Sequence, residues 1–227
     1  IIIKKPFVYA TASQSTVAKG DRVYLRGTAE GQPHSVAVWI LGKNFAVRQE
    51  ETVNSDSTFK YEIKQEVTKT LYSGQYFVVV QHPMQNDVFD IDSPGLGVAT
   101  GDVFVYNYAL GEATGINDIS IFKIQGAGSL QGSDAAEALV QGINDPNVDD
   151  TYTKLQFLVE EPIITIDTIG DKHVGDKFTI TAKTNLAVDD EILVQVYSSS
   201  FKPTQKSQSG EIGRAHDSPP VTRSSPN

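Results

Sequence analysis

The chain contains no cysteine and only four histidines. Without cysteine there are no disulfides, thiolate metal sites or cysteine nucleophiles, and neither an oxidising nor a reducing compartment is indicated. The four histidines do not stand at metal-ligand spacing, and the Gly-x-Ser-x-Gly, P-loop and His-Glu-x-x-His patterns are absent. We interpret His34, His82, His173 and His216 as surface or turn residues. The sequence therefore predicts a protein that is not an enzyme.

Positive charge and long apolar runs are also scarce. Lys and Arg number 19 against 28 Asp and Glu, a net charge of −9, whereas nucleic-acid binders need clustered positive charge. We therefore exclude nucleic acid as a partner. Apolar runs such as residues 77–80 are far shorter than the roughly 20 residues of a membrane-spanning helix. Residues 1–5 lack the features of a signal peptide, and we interpret the chain as a fragment or a mature form.

Hydrophobic alternation predicts a β protein. Between residues 17 and 81, inward and outward residues alternate in four runs separated by turn residues, which is typical of a β-sandwich rather than of βαβ units. A further strand at 102–108 is expected to close the sheet. We predict a mainly β protein whose first immunoglobulin-like (Ig-like) sandwich covers residues 6–110. The four alternating runs are 22–26, 36–40, 59–64 and 76–80.

Tyr76 stands two residues after Gly74, a spacing found in many Ig-like and fibronectin-like domains. There the tyrosine hydroxyl bonds back to the main chain at the corner where the chain enters a strand. The alternative is that Tyr76 is a plain aromatic residue on a buried strand face. Both interpretations give Tyr76 a structural role.

The middle of the chain, residues 111–154, differs in character from its flanks. Between Glu112 and Glu161 there are nine acidic residues and two lysines. One short helix is expected at about 133–142, since Ser133 is a good N-terminal cap and Gly142 and Pro146 stop the helical pattern. We predict an acidic connector, with this single helix, between two β units.

The phrase KGDRVYLRGTA at residues 19–29 returns as VGDKFTITAKT at residues 174–184. We interpret this as an internal repeat in which Gly adopts a conformation closed to other residues and Asp bonds the amides of its own turn. In the second copy, at 155–209, alternation predicts strands at 155–159, 164–166, 178–180 and 192–196. This sandwich is incomplete, since the counterpart of strand 59–63 would fall in sequence without alternation. The Ser- and Pro-rich residues 210–227 are predicted to be a disordered tail.

One acidic segment is a candidate metal site. Asp145, Asn147 and Asp149 repeat the first three ligand spacings of a calcium loop. Asp150 stands where such a loop needs glycine, and Gln156 where it needs glutamate, so the segment is not an EF-hand. Two interpretations stay open, a looser calcium site made by Asp145, Asn147, Asp149 and Asp150, or a self-bonded Asx-turn after the helix. No other cofactor is predicted.

Three aromatic residues are candidates for ligand binding. The alternation predicts Trp39, Tyr24 and Phe77 on the face opposite the principal buried set, where their rings would stack on sugars. The alternative is that both faces of the central strands are covered.

Several segments resemble the surface-layer (S-layer) glycoproteins of methanogenic archaea, with a similarity extending over about residues 17–210. The resemblance implies a secreted protein with tandem Ig-like domains, a two-dimensional lattice on the cell, and a Thr-rich stalk with a membrane anchor. The segments that carry it are IQGAGS at 124–129, AAEAL at 135–139, DPNVDDTYTKL at 145–155, VGDKFTI at 174–180 and VYSSSFKP at 196–203.

The expected function follows from these features taken together. We expect a non-catalytic structural protein of the cell envelope that associates with itself in an extracellular S-layer lattice. Contact with the membrane is expected only through a segment outside this fragment. The alternative is an extracellular adhesion module that binds carbohydrate or a partner protein.

Overall fold

The computed structural model describes residues 6–114, 119–173, 175–188 and 190–195. The chain divides into two compact units, Ile1–Asp190 and Glu191–Asn227, and the described residues of the second, 191–195, form neither strand nor helix. The elements of the first unit are, in chain order, β1 (Phe7–Ala12), β2 (Thr16–Ala18), β3 (Val23–Glu30), β4 (Ser35–Gly42), β5 (Phe45–Thr52), β6 (Thr58–Ile63), α1 (Gln65–Thr68), β7 (Gly74–His82), β8 (Ile91–Asp92), β9 (Val103–Asn107), α2 (Tyr108–Thr114), β10 (Ser120–Gln125), α3 (Gly132–Ile143), β11 (Thr151–Glu160), β12 (Ile164–Ile166) and β13 (Ala182–Thr184).

Two sheets pack face to face and enclose the first hydrophobic core. The front sheet has the strand order β1-β3-β6, and the central sheet has the order β2-β11-β7-β4-β5. All neighbours in both sheets are antiparallel except β2 and β11, which are parallel. The fold is therefore mainly β and of the β-sandwich type, as the alternation predicted. The core between these sheets includes Val23, Leu25, Phe59, Val38, Ile40, Val78, Val80, Phe157 and Val159.

Alternate residues of the central strands face the opposite way and enclose a second core. The segment 83–150, which we call the insert, covers this face with the small sheet β10-β9-β8 and with helix α3. Seven of the eight residues of β4 are buried as a result. The side chains that meet in the second core include Ala37, Trp39, Leu41, Val79, Ile91, Val105, Ala136, Leu139 and Ile143.

The insert leaves and rejoins the central sheet at one place. Strand β7 ends at His82, and its register partner Thr151 begins β11. Arg48 on β5 lies between the rings of Trp39 and Phe89, at 5.7 and 5.1 Å from their centroids, and its Nε is 2.7 Å from Asp92 Oδ1. This cation therefore links the central sheet to β8 of the insert.

The structure corrects the predicted boundaries at 110/111 and 154/155. The strand predicted at 102–108 is β9, which belongs to the sheet of the insert rather than to the sandwich. The central sheet is instead completed by β11, which crosses the predicted boundary and pairs along β7. Residues 111–114 and 119–150 thus belong to the layer that covers the sandwich, and residues 151–154 belong to the central sheet, so this segment is part of one sandwich rather than a connector between two.

The predicted helix exists as α3, but its capping differs from the prediction. The N-cap residue is Gln131, which makes no side-chain capping bond, and Ser133 lies inside the helix. Helices α1 and α2 were not predicted. Strands β1, β2, β5, β8 and β10 were also not predicted.

The two Gly-Asp turns share one local geometry. Gly20 and Gly175 have φ angles of +98° and +97°, a region that favours glycine, as predicted. The amide of Asp21 donates to Ala18 O, and that of Asp176 donates to His173 O, both at 3.0 Å. Asp176 Oδ2 also accepts from the His173 amide at 2.7 Å, as expected of an Asp that bonds its own turn.

The two copies diverge after these turns. Asp21 leads into β3, whereas residues 176–181 contain no assigned strand and are followed by β13, which pairs with β12. The predicted strands at 178–180 and 192–194 are therefore not observed. Residue 174, residue 196 at the end of the last predicted strand, and the tail predicted at 210–227 lie outside the described residues.

Tyr76 forms the predicted corner and also packs in the core. Its hydroxyl donates to Tyr72 O at 3.0 Å, while its ring is buried. The ring stacks on Phe157 at 5.5 Å between centroids and meets Phe45 edge-on at 6.0 Å. Both interpretations of this residue are therefore correct, and the corner joins β7 to the loop that precedes it.

We expect Tyr76→Phe to lower the free energy of unfolding by about 0.5–1.5 kcal/mol, because the ring stays packed while the hydrogen bond to Tyr72 O is lost. Urea denaturation followed by circular dichroism measures the change. Tyr9→Phe is the matched control, since Tyr9 is 57% exposed. Equal stability of Tyr76→Phe and the wild type would show that the corner bond contributes nothing.

Candidate functional site

Asp145 and Asn147 form a turn rather than a metal site. Asp145 Oδ1 accepts hydrogen bonds from the Asn147 amide at 2.9 Å and from Asn147 Nδ2 at 3.0 Å. This is the self-bonded Asx-turn of the second interpretation, placed directly after α3. One carboxylate oxygen of Asp145 is thus engaged by the turn's own donors.

Asp149 and Asp150 instead meet a third carboxylate, that of Asp90. Each of the three residues brings one carboxylate oxygen to within 4.8 Å of the others. The backbone also connects them, since the Asp149 amide donates to Asp90 Oδ2 at 3.1 Å and the Asp90 amide donates to Asp150 Oδ2 at 3.0 Å. We call these three residues the carboxylate cluster. Asp90 immediately precedes β8, and Asp149 and Asp150 immediately precede β11.

Asp150 belongs to a buried polar chain that crosses the second core. Its Oδ2 accepts from Gln81 Nε2 at 2.6 Å, and Gln81 Oε1 accepts from Trp39 Nε1 at 2.8 Å. Gln81 Nε2 also donates to Ile91 O at 3.0 Å. Gln81 and Trp39 are fully buried, and Asp150 is 7% exposed. The chain therefore connects the only tryptophan to the carboxylate cluster.

Burial and neighbouring charge act on Asp150 in the same direction. Burial, followed by repulsion from Asp90 and Asp149, raises the pKa of Asp150 to about 7, although the bond from Gln81 opposes the rise. Its second oxygen, Oδ1, is buried and accepts no hydrogen bond from the residues that the structure describes. A buried carboxylate oxygen without a donor is unusual in a native protein.

The three aromatic candidates do not form one surface. Trp39 is fully buried beneath the insert, so the prediction that it stacks on a ligand is wrong. The alternative, a central strand covered on both faces, is what the structure has. Phe77 is partly buried in the same core, with Lys154 Nζ 5.5 Å from its ring centroid. Tyr24 lies apart from both, on the outer side of the front sheet.

Tyr24 is part of an exposed aromatic and cationic surface that we call the front face. Lys60 Nζ lies 4.2 Å, and Arg26 Cζ 5.6 Å, from the centroid of the Tyr24 ring. On the neighbouring strand β1, Phe7 and Tyr9 are 46% and 57% exposed. Sequence reasoning missed these two because β1 was not predicted. The alternation of FVYATA was the available signal, with small or apolar residues on one side and Phe7 and Tyr9 on the other.

His82 is a buried residue, not the surface or turn residue predicted. The Met84 amide donates to its Nδ1 at 2.9 Å, so the proton lies on Nε2, which donates to Glu30 O at 3.0 Å. Burial lowers the pKa of His82 and favours this neutral form. The ring thus ties the end of β7 to the end of β3.

A groove of about 430 Å³ lies between the β4–β5 turn and the insert. The amide and side chain of Asn44 exchange hydrogen bonds with the Gln131 side chain at 2.9 and 3.1 Å across it. None of the residues that line the groove is ionisable, so they supply no acid or base. We therefore place the candidate chemistry at the carboxylate cluster and the candidate contact surface at the front face.

A second carboxylate pair lies at the first Gly-Asp turn. Asp21 is 3% exposed, and its Oδ2 accepts from the Ala187 amide at 2.8 Å. Burial, then a hydrogen bond and repulsion from Asp190, raise the pKa of Asp21 from 3.8 to about 6. Asp21 therefore keeps its proton to a higher pH than an aspartate in water does.

No family model matches the chain, and no curated protein matches it either. Among the residues that the structure describes, no helix has the length and apolar character needed to cross a membrane.

We expect protonation of Asp21 to stabilise the fold. Because its pKa is raised on folding, this stabilisation is complete below about pH 3.8 and is lost as the pH rises through about 6. Relative to wild type, Asp21→Asn should therefore melt at a temperature that depends less on pH between these values. Thermal melts across that range measure the difference.

Asp176→Asn is the control, because it makes the same charge change at the exposed equivalent turn. A wild-type pH dependence that survives in Asp21→Asn, or disappears equally in Asp176→Asn, would contradict the assignment.

Proposed function

We propose that the protein is a non-enzymatic structural component of the cell envelope and a building unit of an extracellular surface lattice. The β-sandwich fold and the resemblance of the quoted segments to S-layer glycoproteins support this proposal. The strand order β1-β3-β6 against β2-β11-β7-β4-β5, with a tyrosine corner at Tyr76, supports the Ig-like assignment on which it draws.

The main observation in favour of the proposal is that the acidic and basic residues are distributed unequally between the insert and the sandwich. The insert, residues 83–150, contains eleven acidic residues and one lysine. The sandwich segments 6–82 and 151–160 together contain nine basic and eight acidic residues. Within residues 6–160, the negative charge is therefore concentrated in the insert.

The insert and the front sheet lie on opposite sides of the central sheet. Odd-numbered residues of β4 and β7 contact the insert, whereas even-numbered residues contact the front sheet. The front face carries Arg26 and Lys60 beside exposed aromatic rings, and Glu62, the register partner of Tyr24, forms an ion pair with Arg22 next to them. Arg26 and Lys60 are therefore the cations that can complement the acidic layer. Two copies would attract each other when the front face of one meets the insert of the next.

Such a contact joins two different surfaces and is heterologous. A heterologous contact that does not close into a ring repeats from copy to copy and generates an extended array. Contacts between two inserts would be repelled by their like charges. This arrangement favours extension over closed dimers, which is the behaviour that a lattice requires.

We expect self-association that weakens with added salt, because surface charges are screened at distances above about 8–10 Å at physiological ionic strength. Sedimentation velocity and negative-stain electron microscopy over a salt series measure it. Arg26→Glu combined with Lys60→Glu should abolish assembly, since both cations of the front face become anions.

Lys43→Glu combined with Lys69→Glu makes the same total charge change at exposed positions away from the front face and should leave assembly intact. Monodisperse monomers of the wild type at every salt concentration would refute the lattice proposal. Equal loss in both double variants would refute the proposed contact.

The second candidate is an extracellular adhesion module that binds carbohydrate. The exposed rings of Phe7 and Tyr9 favour it, because aromatic rings at a protein surface stack on sugars. A polysaccharide array distinguishes the two functions. The candidate predicts saturable binding that Tyr9→Ala abolishes and that Tyr72→Ala, at an exposed tyrosine outside the front face, leaves unchanged.

A further inference from the structure

We propose that Asp90, Asp149 and Asp150 bind a calcium ion that fastens both ends of the insert to the central sheet. This site differs from the calcium loop that the sequence suggested, since it excludes Asp145 and Asn147 and includes Asp90. It does not depend on the proposed lattice function.

The spacing of the cluster fits one ion. Calcium binds oxygen ligands at about 2.3–2.6 Å, so two oxygens on opposite sides of it lie about 4.8 Å apart. The three carboxylate oxygens all lie within 4.8 Å of one another. The three oxygens are therefore close enough for one ion to bridge them after small movements of the side chains.

The orphaned oxygen of Asp150 is an independent indication of a ligand. Asp150 is more than nine-tenths buried, and its Oδ1 is buried without a hydrogen-bond donor among the described residues. Its other oxygen already accepts from Gln81 Nε2 and from the Asp90 amide. A bound cation would supply the favourable interaction that this buried oxygen does not receive from a hydrogen-bond donor.

The donor set selects the class of metal. All three side chains offer hard carboxylate oxygens, which suit calcium and magnesium rather than zinc or copper. Calcium accepts six to eight ligands in irregular geometry, whereas magnesium demands a near-regular octahedron. Two of the three carboxylates come from successive residues, Asp149 and Asp150, which favours the less demanding ion.

The position of the cluster defines what the ion would do. Asp90 lies near the start of the insert, and Asp149 and Asp150 form its end, where the chain enters β11. Without a cation the three carboxylates repel one another and oppose closure of the insert. Bound calcium removes that repulsion and stabilises the insert on the second core.

Titration of the full chain with CaCl2 in an isothermal calorimeter, above the pKa of Asp150, tests the proposal. We expect saturable binding of one ion and a higher melting temperature in CaCl2 than in chelator. Asp149→Asn and Asp150→Asn should each weaken binding about tenfold or more, since each removes a ligand charge. Asp145→Asn makes the same charge change in the adjacent turn and should bind as wild type does.

The fluorescence of Trp39 provides a second readout. Trp39 is the single tryptophan and connects to Asp150 through Gln81, so binding should change its emission with the same midpoint as the calorimetric titration. If Asp150→Asn does not fold, Asp149→Asn, at an exposed position, still decides the question.

Absence of saturable calcium binding by the wild type would overturn the proposal. Unchanged affinity in Asp149→Asn, or equal weakening in Asp145→Asn, would place the ion elsewhere and would also overturn it. Binding of MgCl2 without binding of CaCl2 would overturn the choice of metal.

Discussion

The central sheet is apolar on both faces, and the need to cover both of them organises the described structure. Strand β4 reads SVAVWILG and is buried along almost its whole length, as strands enclosed on both sides are. The front sheet covers one face. The insert, which contains no large sheet of its own, covers the other by adding a helix and three short strands.

This constraint also explains where the charges lie. The insert turns apolar residues such as Ile91, Val105 and Leu139 inward, so its many acidic residues remain mostly outside. Polar groups that enter the second core are joined to one another, as the chain from Trp39 through Gln81 to Asp150 shows. The point where this chain reaches the surface is the point where the two ends of the insert meet.

Alternation predicted the strands that carry a clear two-residue period, β3, β4, β6 and β7, together with the corner at Tyr76. It did not predict β5, because polar residues occupy both sides of its second half. It detected β11 but assigned it to another domain, since a period of two identifies a strand without naming its neighbour. The conformation of the two Gly-Asp turns was predicted correctly. The prediction that the same strands follow both turns was wrong.

The candidate site was less predictable than the fold. The sequence drew attention to Asp149 and Asp150 through their local spacing, but Asp90 lies 59 residues before Asp149. Only the pairing of β7 with β11 brings these residues together, and no local pattern encodes that pairing. The burial of His82 was missed for the same reason, because Glu30, which its ring contacts, lies far away in the chain. The burial of Trp39 was one of two interpretations, and the sequence alone did not decide between them.

The pairing of β11 with β7 also has a consequence for biosynthesis. Strand β11 pairs with both β7 and β2. During translation both of these strands leave the ribosome long before β11, and β2 leaves first. Until then the nascent chain presents two unsatisfied strand edges, which are templates for aggregation. Completion of the sheet is therefore a late event that depends on contacts between distant parts of the chain, and such contacts slow folding.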